Sequence, residues 1–382
     1  MNQPSNAPAR TAAAQWPGPP AGARAAGGTV PSFSDDGAWT DFRCAVRAIL
    51  DGEAQAALGH AGADNARFVQ LWDRLGGSLV GGKLTRPRLV LLSYSAFGGR
   101  DRQAAATLGA AFEMLHSALL IHDDVIDRDL VRRGRPTVGA LYRQDALELG
   151  HSGTEADHAG NSAALIGGDI LLAGSLRLAA RAGAATGTAE DVLDTLNAAV
   201  LAAAAGELDD LVYSLGGLDI DVDQVLDMER LKTASYSFEA PLRAGAVLAG
   251  APAPSAERMG AIGRTLGIAY QVIDDVLGTF GDPAETGKSI DSDVRSDKKT
   301  ILGAFAAHDE SYLAAHASYR RGEAGIEDVR AALSAAGAEE AARRLAHRLV
   351  RHALADAADL APETTLADDL AGVCTFILER TK

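Results

Sequence analysis

Cysteine is scarce in this chain: Cys44 and Cys374 are the only two among 382 residues. That excludes a disulfide-stapled scaffold, and without a C-x-x-C spacing it also excludes a thiolate metal knuckle or a dithiol redox centre. Both read as buried, reduced thiols of a cytoplasmic protein. Positive charge is short as well. With 36 basic and 51 acidic residues the formal charge is -15, which disfavours nucleic acid and anionic membranes as partners, since both call for basic surface. No apolar run reaches the roughly 18 residues of a membrane span, and the first 31 residues lack the apolar core of a secretory signal. Runs of alternating β-branched residues are missing too, which leaves no substantial sheet.

Proline is rare outside the start. Pro4, Pro8, Pro17, Pro19, Pro20 and Pro31 crowd the first 31 residues and leave seven for the rest. An Ala/Pro/Gly-biased segment of that kind cannot bury enough surface to offset its ordering entropy, so residues 1–34 read as a disordered tail. Residues 35–382 read as one domain, with 47% hydrophobic content ample for a core. Its Ala, Leu, Arg and Glu pattern is helical almost throughout, an all-α protein with helices over 36–58, 64–78, 86–98, 102–128, 138–148, 162–186, 189–215, 222–250, 255–281, 298–322, 326–356 and 365–380. Between Glu148 and Asn161, with Gly150, Gly153 and Gly160, the pattern breaks into a surface loop. His151 and His158 are solvated there, because a glycine-rich segment fixes no ligand geometry.

Five Asp-Asp pairs occur, and most need no function in an acidic chain: Asp35-Asp36 adjoins the tail, and Asp368-Asp369 suits the positive end of a helix. Asp123-Asp124 differs. It follows the apolar run Ala118-Leu119-Leu120-Ile121, and Asp127 comes four residues after Asp123, so Asp123 and Asp127 share one helix face about a turn apart. Alone they repel. Bridged by a hard cation they become oxygen ligands of the kind Mg2+ accepts. Asp274-Asp275 likewise projects from an apolar helix, Gly267 to Ile273, but Gly278 stands where a third carboxylate would fall, which makes it the weaker cluster.

Cations follow the first cluster: Arg128, Arg132, Arg133 and Arg135 can take phosphate oxygens through forked hydrogen bonds. Upstream, Gly81-Gly82-Lys83-Leu84-Thr85-Arg86-Pro87 places two more beside a turn that opens a helix. Two carboxylate clusters with cations around them suit magnesium held against a diphosphate.

Taken in order along the chain, these motifs resemble the trans-isoprenyl (polyprenyl) diphosphate synthase family from about residue 40 to the end. Gly81 to Pro87 is similar to its Gly-Gly-Lys-x-x-Arg-Pro segment, and His116 to Asp124 to its first aspartate-rich motif. Arg132-Arg133-Gly134, Gly206-Glu207-Leu208-Asp209-Asp210, Lys232-Thr233, Gln271 with Asp274-Asp275, and Thr286-Gly287-Lys288 with Asp293 and Lys298 follow in the family's order. The resemblance implies a single helical bundle around a central cavity, a homodimer, and condensation of isopentenyl diphosphate with an allylic diphosphate. It further implies that Asp123, Asp127 and Asp274 ligate Mg2+, three ions with substrate bound, supported by Asp124, Asp210 and Asp275. Arg132, Lys232 and Lys288 would bind the allylic diphosphate. Lys83, Arg86, His116 and Arg133 would bind isopentenyl diphosphate, Thr233 and Gln271 would flank the reacting carbons, and Lys298 would assist closure. Three positions depart from the family pattern: Leu84 replaces a common Arg, Glu207 a common Gln, and Gly278 a common third Asp.

The growing tail would run down the aspartate helix past Leu119, Ala118, Leu115 and Phe112. Phe112 lies eleven residues before Asp123 on nearly the same face, about 16 Å along the axis, which predicts a geranylgeranyl (C20) product. Such a stripe is also ordinary core packing. A terpene cyclase would share the ionisation step but lack the second diphosphate site, and a regulatory partner subunit would tend to lose the aspartates that this chain keeps.

Overall fold

The computed structural model describes residues 37–61, 65–79, 82–132, 134–216, 218–281, 294, 298–361 and 364–380. The 1–34 tail lies outside the described residues, as do Gly81, Arg133, Thr286, Gly287, Lys288 and Asp293. The helices are α1 (Gly37–Ala61), α2 (Ala66–Leu79), α3 (Thr85–Ala96), α4 (Arg102–Ile126), α5 (Val138–Glu148), α6 (Gly153–Thr186), α7 (Ala189–Ser214), α8 (Val222–Glu229), α9 (Ala240–Leu248), α10 (Ala253–Phe280), α11 (Ile301–Phe305), α12 (Glu310–Arg320), α13 (Ile326–Ala335), α14 (Ala338–Leu360) and α15 (Leu366–Glu379). Between α8 and α9 the chain runs through a π-helical stretch, Arg230–Glu239. The strands among the described residues form a two-residue hairpin, Val131–Arg132 against Arg135–Pro136.

The all-α class is borne out, and the differences lie at helix ends. The expected loop over 148–161 is short, because α6 begins at Gly153. Ser152 caps it: its hydroxyl accepts from the Glu155 backbone N–H at 3.3 Å, while the Glu155 carboxylate accepts from the Ser152 backbone at 3.0 Å. Gly160 is therefore a packing residue of α6: a Cβ there would stand 2.5 Å from the Gly139 carbonyl of α5. His158 sits on the exposed side of this helix. The expected 298–322 and 326–356 helices are each divided, the latter at Gly337, which takes the left-handed conformation at φ 72°. Cys374 is buried as expected, and burial pushes its thiol up to about 12. Cys44 is exposed on α1, which corrects its reading as a buried thiol.

Two apolar clusters make the core. One joins α1, α2, α4, α6 and α7 through residues such as Trp72, Leu108, Phe112, Leu171 and Leu196. The other joins α8, α10, α14 and α15 through Val225, Leu266, Val272, Val350 and Leu370. Two helices, α4 and α6, are long and apolar enough to cross a membrane by length and composition, which corrects the expectation that no run is. The apolar window of α4 is 83% buried within the fold and that of α6 39%, so α4 is a core helix and α6 keeps an apolar outer face.

Candidate active site

Helix α4 is held at its start by Asp101, whose carboxylate accepts from the Ala104 N–H at 3.0 Å, and it delivers Asp123, Asp124 and Asp127 at its end. Asp123 and Asp127 are each met by protein cations. Arg132, carried back by the hairpin after α4, donates through Nη2 to Asp123 Oδ2 at 2.7 Å and through Nε to Asp124 Oδ1. Lys298 donates to Asp127 Oδ2 at 2.6 Å. Lys232, from the π-helical stretch, lies 3.3 Å from Asp123 Oδ1 and 3.0 Å from Glu207 Oε2, and it also pairs with Asp210.

The π-helical stretch reaches this wall because α7 lets it come close. A Cβ at Gly206 would stand 2.2 Å from the Lys232 backbone nitrogen, so only glycine permits the approach that puts Glu207 and Asp210 on the Lys232 ammonium. A wide-turned segment carrying functional side chains is a common use of π geometry.

The charges answer to this packing. Burial opposes ionisation of Asp123, yet Lys232, Arg132 and Lys298 outweigh it and hold the carboxyl below its usual range. Asp124 has Arg132 alone among these cations, and there burial wins, pushing its carboxyl up to about 6. Lys232 and Lys298 are both raised: burial works against each charge, but the carboxylates around them overcome it. Burial also raises Glu207 against the pull of Lys232.

The second cluster is built differently. Asp274 pairs with Arg380 at 2.7 Å, and Arg380, 4% exposed, lies 3.8 Å over the Tyr270 ring and donates to the Tyr270 carbonyl at 3.2 Å. Asp275 turns into the packing: its Oδ2 accepts the Ile301 backbone N–H at 2.9 Å and its Oδ1 accepts from Gln271 at 3.2 Å. Glu229 is buried beside it and forms no salt bridge among the described residues. Burial first, then Asp275 and Asp274, raise its carboxyl well above the usual range.

A third group adjoins α3. Arg86 donates to Ser237 Oγ at 2.7 Å and stands 5.0 Å over the Tyr236 ring. Tyr236 in turn stacks on His116 with centroids 6.0 Å apart. Exposed Lys83 approaches the Phe376 ring of α15 at 4.8 Å. Leu84 is buried at φ 52° and belongs to the core, so it supplies no polar group here.

The structure thus joins Asp123, Asp124, Asp127, Arg132, Lys232 and Lys298 in one network and Arg86 and His116 in another, with half-buried Thr233 directly after Lys232. Phe112, Leu115 and Ala118 are fully buried on α4, and Leu119 is partly buried. Sequence reading missed Tyr236, Ser237, Glu229 and Arg380. Tyr236 and Ser237 could have been flagged by their distance of four and five residues from Lys232, whereas nothing local marks Arg380.

Among the described residues no three His, Cys, Asp or Glu side chains stand together as a ready metal cage. The donor set is nonetheless the hard-oxygen kind that magnesium takes, and Arg132, Lys232, Lys298 and Arg380 supply on these carboxylates the positive charge an ion would otherwise bring. The residues fit a divalent cation that binds together with an anionic substrate.

An all-α bundle that gathers the acidic end of one helix, Asp123 to Asp127, among Arg132, Lys232 and Lys298 belongs to a class of proteins with a buried, mixed-charge site. The match that specifies it covers residues 71–336 and is to the family described as polyprenyl synthetase; the chain belongs to that family. It is 37% identical over 243 residues to a geranylfarnesyl diphosphate synthase of Aeropyrum pernix, covering 61% of this chain and 70% of that protein. It is 36% identical over 224 residues to a geranylgeranyl diphosphate synthase of Sulfolobus acidocaldarius, covering 58% of this chain and 62% of that one. The fold superposes on a geranylgeranyl pyrophosphate synthase from Corynebacterium glutamicum, solved with isoprenyl diphosphate and magnesium, with a TM-score of 0.79 at 27% identity, over 89% of this chain and 98% of that one.

Proposed function

We propose that this chain is a trans-prenyltransferase that condenses isopentenyl diphosphate with an allylic diphosphate, and that its main product is geranylgeranyl diphosphate. The observation that carries the reading is the network in which Asp123 and Asp127 share one space with Arg132, Lys232 and Lys298, while Arg86 and His116 gather around Tyr236 in a separate group. Two polyanion sites suit two diphosphate substrates.

In this reading Asp123, Asp127 and Asp274 hold Mg2+, three ions with substrate present, and bound magnesium supplies Lewis-acid stabilisation of the departing diphosphate. Lys232, Arg132 and Lys288 bind that same head group. To meet it, Arg132 and Lys232 give up part of their present pairing with Asp123 and its neighbours, and that exchange ties head-group binding to rearrangement of the acidic wall. Lys83, Arg86, His116 and Arg133 hold isopentenyl diphosphate, with Tyr236 fixing Arg86 and His116 between ring faces. Half-buried Thr233 and Gln271 stand beside the reacting carbons. Lys298, bonded to Asp127, helps exclude water from the carbocation. Fully buried Phe112 closes the path of the growing tail, with Leu115, Ala118 and Leu119 above it.

The exposed Leu201 and Leu208 of α7, Leu215 just beyond its end, and Leu165 and Ile166 of α6 support pairing with a second copy, which makes a homodimer the working form in this reading. The testing experiment incubates the isolated protein with isopentenyl diphosphate, Mg2+ and allylic starters of increasing length, then resolves the products by chain length. A C20 product is expected. A cyclic hydrocarbon formed without isopentenyl diphosphate, or no turnover without another protein, would contradict the reading.

A further inference from the structure

An ammonium group has three N–H donors, and Lys232 has three carboxylates to spend them on. Its Nζ lies 3.3 Å from Asp123 Oδ1 on α4 and 3.0 Å from Glu207 Oε2 on α7, and it pairs also with Asp210, one turn after Glu207. Only 19% of its side chain is exposed, so an incoming phosphate oxygen has to compete with these three carboxylates for the ammonium. The three are not equal. Asp210 is the most enclosed, its side chain 9% exposed, while Asp123 also holds Arg132. Glu207 has the longer side chain, is 21% exposed, and makes no ion pair other than that with Lys232 among the described residues.

We infer that Glu207 is a positioning residue that sets the strength of allylic diphosphate binding by competing with the head group for Lys232. This rests on the prenyltransferase reading, in which Lys232 meets that head group. A carboxylate at 207 keeps the ammonium turned toward α7 and adds a negative charge within reach of a polyanion. A neutral side chain at the same place frees one N–H and removes that repulsion. Glu207 thereby weakens retention of the allylic head group, and of the inorganic pyrophosphate left after reaction, without touching the Arg86–His116 pocket that takes the other substrate.

The test uses the full chain with Glu207→Gln and Glu207→Ala. Titration calorimetry with inorganic pyrophosphate in the presence of Mg2+ should show both variants binding about threefold or more tighter than the wild type, the scale of one partly screened charge pair. The KM for the allylic diphosphate should fall with it, while that for isopentenyl diphosphate stays level. Thermal midpoints measured alongside confirm that the variants fold. Unchanged or weaker pyrophosphate binding in both variants overturns the inference, as does tightening by Gln but not by Ala, which would assign the effect to a new amide donor. A rise in the Mg2+ concentration needed for binding overturns it as well, by making Glu207 a metal ligand. Because calorimetry needs no turnover, a wild-type chain that binds pyrophosphate but elongates nothing would sink the functional reading while still deciding the role of Glu207.

Discussion

The chain carries two Asp-Asp pairs at the ends of two apolar helices, and the structure puts them to different work. At Asp123-Asp124 both carboxylates, with Asp127 a turn later, face side-chain cations: Arg132, Lys232 and Lys298. At Asp274-Asp275 the first pairs with Arg380, and the second is spent on the backbone N–H of Ile301, at the start of α11. What the first pair offers is charge that can be reassigned when a polyanion arrives. What Asp275 offers is an acceptor in a fixed place. Identical dipeptides are separated by which groups the fold brings to them.

Substitutions that remove charge but keep shape should therefore divide the two clusters. Asp123→Asn should lower turnover by about 10³-fold or more, the scale on which electrostatic stabilisation of a departing group acts, with the fold intact by circular dichroism. Activity within tenfold of wild type would erase the distinction between the pairs. Below the first pair, Phe112→Ala should shift products toward longer chains, read by chromatography of the dephosphorylated alcohols; an unchanged distribution would place the floor on another helix. At the second pair, Asp275→Ala leaves the buried Ile301 N–H without its acceptor and should cost about 2 kcal/mol of stability, whereas Asp275→Asn keeps an oxygen there and should lie close to wild type in a denaturant titration. Equal losses in the two variants would make Asp275 a charge site after all.

The smallest effect concerns pH. Burial raises the Asp124 carboxyl to about 6 from its ordinary 3.8, so the folded chain holds a proton there that the unfolded chain has already released. The stabilisation from that proton is full below about pH 4 and is lost as pH rises through 6. Asp124→Asn cannot titrate, so its stability relative to wild type, without magnesium, should improve on the order of 1–2 kcal/mol between pH 4 and pH 7. A flat difference would show that Arg132 already keeps Asp124 ionised.

How much of this was legible depended on the range of the interaction. The Asp123–Asp127 spacing fixes a shared helix face locally, and the structure keeps it. Misreading 148–161 had a local cause: the glycines suggested a loop, while Ser152-x-x-Glu155, the signature of a helix start, stood among them. Gly160 serves helix packing, which no count of glycines distinguishes from a turn. The π-helical stretch at 230–239 was invisible within a uniform helical pattern, because what accommodates it is close packing against Gly206 of α7 and Gly267 of α10. Arg380 reaches the second aspartate pair from 106 residues away and Ile301 from 26, and only the folded chain announces them.

The most direct measurement is a crystal structure of the protein with Mg2+ and a non-hydrolysable allylic diphosphate analogue. The account predicts the head group between Asp123 and Asp127 on one side and Asp274 on the other, Lys232 turned toward it, and Asp275 still bonded to the Ile301 N–H. A head group lodged elsewhere, with Asp274 still paired to Arg380 and Lys232 still on its three carboxylates, would contradict it.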